Sequence, residues 1–206
     1  MALAKKKLKK KGKRTPWNKG VEVGRRVPLS AAEVTRIRKL LVKRGDSGLK
    51  HLALFSTAVD TMLRSPDLLG LKVGDVRKRN GVMRDSIALP PRGKRSRAVQ
   101  CTLSKTTMSV LAKLIRETSK KPREYLFTGR VGGGLQALSA RQFTRIVKGW
   151  VTDAGLDESA YGSESLRRTG AIAMLRRRAN MEAVRDALGL ENVDHVTEYL
   201  RDIPQR

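Results

Sequence analysis

Arg167 and Arg168 lie just after Ser163, at the opening of a run that reads as a helix. Ser163 is a natural N-cap, and a helix N-terminus presents unpaired N–H groups and partial positive charge that favour an anion. An arginine placed there can fork onto two oxygens of one phosphate, which a lysine cannot do. Arg168 points about 100° away from Arg167 around the helix and is expected on a phosphate backbone or on a structural partner. Further on, Tyr199 falls beside an apolar stripe of Val193, Val196 and Leu200 rather than within it. Taken alone, that is the position of an ordinary half-buried tyrosine.

The charge balance says what such cations would meet. The chain of 206 residues carries 45 Lys+Arg against 19 Asp+Glu, a formal net charge of +26. Self-repulsion of that size destabilises the compact state unless a polyanion neutralises it. Nucleic acid is the first partner class expected and an anionic membrane surface the second; a basic structural protein of ribosomal type competes on composition alone. One cysteine, Cys101, excludes an internal disulfide and a thiolate cluster, and His51 and His195 are too few for a zinc site without many carboxylates. No metal and no cofactor is expected. No apolar run approaches the roughly 18–20 residues of a membrane span, and no apolar segment follows the basic N-terminus as a secretory signal requires. The expectation is a cytoplasmic, nucleoid-associated protein of bacterial or phage origin, with no membrane partner and no small-molecule substrate.

The elements that must position these groups show as helical periods and turns. Residues 1–28 read as a disordered basic arm in which Lys5, Lys6, Lys7, Lys9, Lys10, Lys11, Lys13 and Arg14 precede Trp17. Lysine clusters of this kind bind phosphate in a salt-sensitive way and Trp17 can stack on a base or sugar; a solvated solubility tail is the alternative. Residues 29–206 read as one folded domain. Ser30 and Glu33 form a capping box ahead of Val34, Ile37, Leu40 and Leu41. Gly45 stops that helix, Gly48 opens the next, and Ser65 caps a third with Pro66 at its first position. Arg64, between them, pairs Asp67 or caps a helix end in the plainest reading. Val82 to Leu89 and Ala98 to Leu103 read as strands. The turn between them carries Arg92, Lys94 and Arg95, and suits a nucleic-acid groove or simply solvent. Ser104 and Ser139 cap two further helices, the second with Trp150 as a core anchor. Tyr125-Leu126-Phe127 is a short apolar segment. Gly132-Gly133-Gly134 is a surface loop, since no Gly-Lys-Ser/Thr follows as in a phosphate cradle. Leu188-Gly189 ends a helix with Met181, Val184 and Ala187 on its apolar face, and Asn192 caps the last.

In order, Leu166-Arg167-Arg168-Thr169, the Leu188-Gly189 turn, and Tyr199 at the tenth position counting from Leu190 resemble the C-terminal half of tyrosine recombinases, phage-integrase-type DNA strand-exchange enzymes. The stretch around Leu63-Arg64-Ser65-Pro66-Asp67 resembles the turn bearing that family's first arginine, and the basic hairpin resembles the one bearing its lysine. The resemblance implies an α+β, mostly helical fold around a small antiparallel sheet. It implies Arg64 and Arg167 as the phosphate-binding arginines, Lys94 as the proton donor to the leaving oxygen, and Tyr199 as the nucleophile. These four should converge on one basic face, with Arg92, Arg95, Arg168 and the arm on duplex DNA.

The chain also departs from the pattern. The histidine of the family's His-x-x-Arg motif falls on Glu164, whose carboxylate offers a base but repels phosphate. The second histidine or tryptophan falls on Leu190, which neither titrates nor donates a hydrogen bond. His195, one turn before Tyr199, is a substitute or a solvated helix-face histidine. Only the arm precedes the catalytic-like part and only seven residues follow Tyr199, as in small single-domain recombinases, with self-association on DNA left open. The reading that follows is a metal-independent site-specific recombinase or integrase working through a 3′-phosphotyrosyl intermediate. The alternatives are a catalytically impaired DNA-binding relative from a mobile element, and a basic structural nucleic-acid-binding protein.

Overall fold

The computed structural model describes residues 26–91, 97–129 and 135–201. Nine helices and one hairpin are present among them: α1 (Ala31–Lys43), α2 (Asp46–Thr61), α3 (Ser65–Leu69), α4 (Val73–Val76), β1 (Ser86–Leu89), β2 (Val99–Thr102), α5 (Lys105–Thr118), α6 (Ala140–Asp153), α7 (Ser163–Arg176), α8 (Met181–Leu188) and α9 (Val193–Leu200). The fold is α+β and mostly helical, as expected. The strands pair antiparallel, Ser86 with Thr102 through Leu89 with Val99. No helix among the described residues is long and apolar enough to cross a membrane.

Helix starts follow the sequence signals closely. Ser30, Ser104, Ser139, Asn180 and Asn192 each accept an N–H two or three residues into their helix, and Glu33 closes the capping box with a 2.7 Å bond from the Ser30 N–H. Three boundaries differ from expectation. Helix α2 begins at Asp46 because Gly45 takes φ +59°, which reverses the chain before Gly48 is reached. Arg64 rather than Ser65 occupies the N-cap of α3, with extended backbone. Gly162 rather than Ser163 precedes α7, its N–H donating to Ser165 Oγ at 3.0 Å. The first strand is also shorter than expected. Arg84 N–H turns away to Val76 O at 2.8 Å, so ladder pairing starts only at Ser86. Tyr125 to Phe127 forms no named strand: Tyr125 makes an isolated bridge with Lys72, and the Lys120 ammonium gathers the carbonyls of Tyr125 and Leu126 and the Thr128 hydroxyl.

Two apolar clusters result. The larger joins α1 to α6, the hairpin and Leu166, with Trp150 edge-on to Phe55 and Phe143 and its indole N–H on His51 Nδ1 at 3.2 Å. The smaller is Met62, Ala171, Val184, Ala187, Leu188 and Val196, with Tyr199 and Leu200 packed against it. Of the expected α9 stripe, Val196 is fully buried and Val193 and Leu200 only partly. Helix α7 bridges the clusters, and its contact with α2 depends on a missing side chain. A Cβ on Gly170 would lie 2.1 Å from the Val59 carbonyl oxygen and 2.5 Å from Met62 Cγ. Gly149, exposed in α6, has nothing within 4 Å of the same position.

This contrast is directly measurable by urea unfolding. Gly170→Ala should lose about 1–3 kcal/mol through overpacking, whereas Gly149→Ala should gain up to about 1 kcal/mol from helix propensity. An unchanged midpoint for Gly170→Ala would show that α2 and α7 do not meet there.

Candidate active site

Helix α2 ends on Met62 in the left-handed region, φ +52°, a conformation costly for a side chain with a Cβ. That reversal throws the chain outward and leaves Arg64 exposed at the head of α3. Arg64 and Asp67 share a crevice with Arg167, Val99 and Leu188. The first and second expected arginines are therefore neighbours.

Arg167 lies one turn beyond the free N–H groups of α7, so its own guanidinium, rather than the helix end, is the anion-seeking group there. It is 5% exposed. Its Nη2 donates to Leu188 O at 2.5 Å, and its Nε, also buried, has no hydrogen-bond partner. Burial lowers its pKa, the Tyr199 phenolic oxygen and Glu164 oppose that, Arg64 adds to it, and Asp67 opposes it.

Tyr199 is half-buried against the smaller cluster. The Arg167 and Arg168 guanidinium carbons lie 5.6 and 5.7 Å from its ring centroid, within cation–π range. Its hydroxyl donates to Glu164 Oε1. Burial raises the phenol pKa far above its usual value, and the Glu164 charge and hydrogen bond raise it further against the pull of the two arginines. A pocket of about 350 Å³ opens at this hydroxyl, walled by Arg26, Glu164, Arg168, Leu190, His195 and Glu198. Leu190 forms an apolar wall, and His195 is exposed on α9 one turn from the phenol.

Arg168 is 3% exposed. It donates to the carbonyls of Arg26 (2.9 Å), Tyr199 (3.0 Å) and Arg201 (2.8 Å). Of the two roles expected for it, the structural contact is made here through both terminal nitrogens, while its buried Nε has no hydrogen-bond partner. The structure thus brings together Arg64, Arg167, Tyr199 and Glu164. Lys94, Arg92 and Arg95, the arm residues Lys5, Lys6, Lys7, Lys9, Lys10, Lys11, Lys13, Arg14 and Trp17, and the 132–134 loop lie outside the described residues.

Two participants escaped the sequence reading. Arg26 counted as the last charge of the arm, yet its carbonyl receives Arg168, its guanidinium reaches Ser159 O, and Val27 N–H bonds Ala160 O at 3.0 Å. Arg97 Nη1 donates to Glu191 O at 2.9 Å, which ties the base of the basic hairpin to the turn before α9. Neither carries a sequence signal beyond one more positive charge in a basic chain.

With this geometry in view, the relationships of the chain can be stated. Residues 27–206 match the model of the phage integrase family. No curated protein sequence matches the chain. Among solved structures, XerA recombinase is similar with a TM-score of 0.70 at 20% identity, over 85% of this chain and 60% of that one. XerH site-specific recombinase, in a post-cleavage complex with palindromic difH substrate, gives 0.69 at 22%, over 89% and 52%. The Tn1549 transposon integrase in complex with transposon right end DNA gives 0.67 at 16%, over 85% and 62%. The chain thus spans 52–62% of the last two proteins and 60% of the first. At these identities the structures establish a shared fold, that of the tyrosine-recombinase catalytic domain, and the family model, matched from the docked root of the arm onward, establishes descent: the chain belongs to the phage integrase family.

Proposed function

We propose that the protein is a site-specific DNA recombinase that cleaves and rejoins duplex DNA through a 3′-phosphotyrosyl intermediate, without a metal or nucleotide cofactor. The observation that carries this reading is the meeting of Tyr199 with Arg167, and of Arg167 with Arg64, across three separate elements. Tyr199 Oη attacks the phosphorus, an O–P bond forms, the P–O5′ bond breaks, and the 5′-oxygen leaves with a proton from Lys94. Arg64 and the unpartnered Nε edge of Arg167 take the non-bridging oxygens, whose charge grows in the transition state. Covalent catalysis conserves the phosphodiester energy in the tyrosyl link. Duplex DNA suits a chain of net charge +26, and lysines of the arm add salt-dependent affinity. Self-association on DNA and residence at the nucleoid follow from the same reading.

Arg168 serves the reaction indirectly. Its bonds to Tyr199 O and Arg201 O satisfy carbonyls at the C-terminal end of α9, where a cation also meets the negative end of the helix. It thereby holds the tyrosine helix against its own domain.

A second reading, a DNA-binding relative without turnover, draws on Leu190 and on the carboxylate that grips the nucleophile. Nicked suicide duplexes from the DNA flanking the gene separate the two. A covalent protein–DNA adduct lost in Tyr199→Phe supports the recombinase, and salt-sensitive binding with no adduct on any substrate supports the relative. For Arg168→Ala, the part-buried carbonyls that lose their donor cost roughly 1–3 kcal/mol. Hydrogen exchange of the α9 amides should then accelerate about ten- to a hundred-fold while α2 stays protected. Uniform protection in that variant would mean Arg168 does not hold α9.

A further inference from the structure

We infer that Glu164 is the general base of the cleavage step, its carboxylate receiving the Tyr199 proton directly as the phenolic oxygen attacks phosphorus. The inference rests on the recombinase reading above and names the residue that activates its nucleophile.

Geometry comes first for a base, which must reach the proton it removes. A phenol has one proton to donate, and here it points at Glu164 Oε1. The carboxylate accepts without rearrangement. It sits in the first turn of α7, on the same helix as Arg167 and Arg168. The remaining charged groups around the pair come from every neighbouring element. Arg167 and Arg168 of α7 face the ring, Arg26 of the segment before α1 walls the pocket, and Arg64 and Asp67 of α3 act on Arg167. Four of these are cations and take no proton. His195 and Glu198 of α9 line the same pocket, but the hydroxyl's hydrogen bond runs to Glu164.

The electrostatics explain why the transfer waits for substrate. Burial penalises a free tyrosinate most, and an ionised Glu164 beside it adds to that penalty. Handing the phenolic proton to Glu164 removes the second part of it. A phosphodiester docked on Arg64 and Arg167 brings a third negative charge to the cluster, and like charges in contact favour proton uptake by one of them. The O–H electron pair stays on the phenolic oxygen as its lone pair bonds phosphorus, and the P–O5′ pair departs with the leaving oxygen. The proton rests on Glu164. In the ligation step the 5′-hydroxyl displaces the tyrosine and gives its proton back to the Lys94 amine, while the neutral Glu164 acid returns its own proton to the phenolic oxygen.

The test uses the full chain on the suicide duplexes, with adduct rates measured across pH for wild type, Glu164→Gln, Glu164→His, His195→Gln and Tyr199→Phe. Glu164→Gln should lower the adduct rate by about 10²–10⁴-fold while DNA affinity is kept or improved, since a repulsive charge is gone. Glu164→His should recover much of that rate and add an acid limb near pH ~6.5, absent from wild type and from His195→Gln. Tyrosinate absorbance in the free proteins gives a second reading: by difference from Tyr199→Phe, Glu164→Gln should bring the Tyr199 titration down. Equal adduct rates for wild type and Glu164→Gln would overturn the inference, as would loss of rate only in His195→Gln. An unmoved Tyr199 titration would remove the contact on which it stands. Absence of adduct in wild type on every substrate would instead sink the recombinase reading, and the base with it.

Discussion

The site depends on how closely α7 can lie on α2. Helix α2 delivers Arg64 through the left-handed turn at Met62, and α7 carries Glu164, Arg167 and Arg168. The two sets meet because Gly170 lets the α7 backbone settle onto the Val59 carbonyl and the Met62 side chain. Met62 belongs at once to that contact, to the small cluster under α9 and to the turn before Arg64. A shift of α7 would therefore move both arginines and the tyrosine's seat together. Precision in the site comes from packing between helices rather than from the loops that separate them.

Burying two adjacent guanidinium groups in so basic a chain needs compensation. A buried cation without partners is strongly unfavourable. Arg168 meets this with three main-chain carbonyls, and Arg167 with one carbonyl and the face of Tyr199. The difference matters. Both keep a buried Nε without a partner, but Arg168 has spent both terminal nitrogens on main-chain carbonyls, whereas Arg167 has spent Nη2 on one. A buried unsatisfied donor beside an exposed arginine is what an anion site requires before the anion arrives.

Most of the architecture was legible in the sequence because caps and apolar periods are local signals. The serines at 30, 104 and 139 and the asparagine at 192 each start a helix where their side chains can reach the first free N–H groups. Departures occurred where a non-local bond won. The first strand starts late because Arg84 pairs with Val76 in α4. Arg26 was counted with the arm because its partners, Ser159 and Arg168, are more than 130 positions away. The candidate site was legible as residue types in order, since Arg64, Arg167 and Tyr199 do come together. Its internal wiring was not. No spacing rule distinguishes Arg167, which faces Arg64 and Asp67, from Arg168, which braces α9; only the position of the α9 carbonyls does.

Glu164 and Leu190 replace the two assisting groups that the family pattern leads one to expect, and their effects run in opposite directions. Leu190 removes a hydrogen-bond donor and leaves an apolar wall beside the phenol. That wall lowers the local dielectric and strengthens every charge interaction in the pocket. Burial already disfavours the tyrosinate there, and Glu164 adds a charge and a hydrogen bond that also hold the phenol neutral. A histidine can both donate to phosphate and accept from tyrosine; a carboxylate in its ionised form only accepts. The phosphate would then be gripped by arginines alone, while the nucleophile is oriented and deprotonated by a separate group that repels phosphate. Dividing the two tasks in this way ties activation of Tyr199 to neutralisation of the carboxylate, and hence to the arrival of DNA.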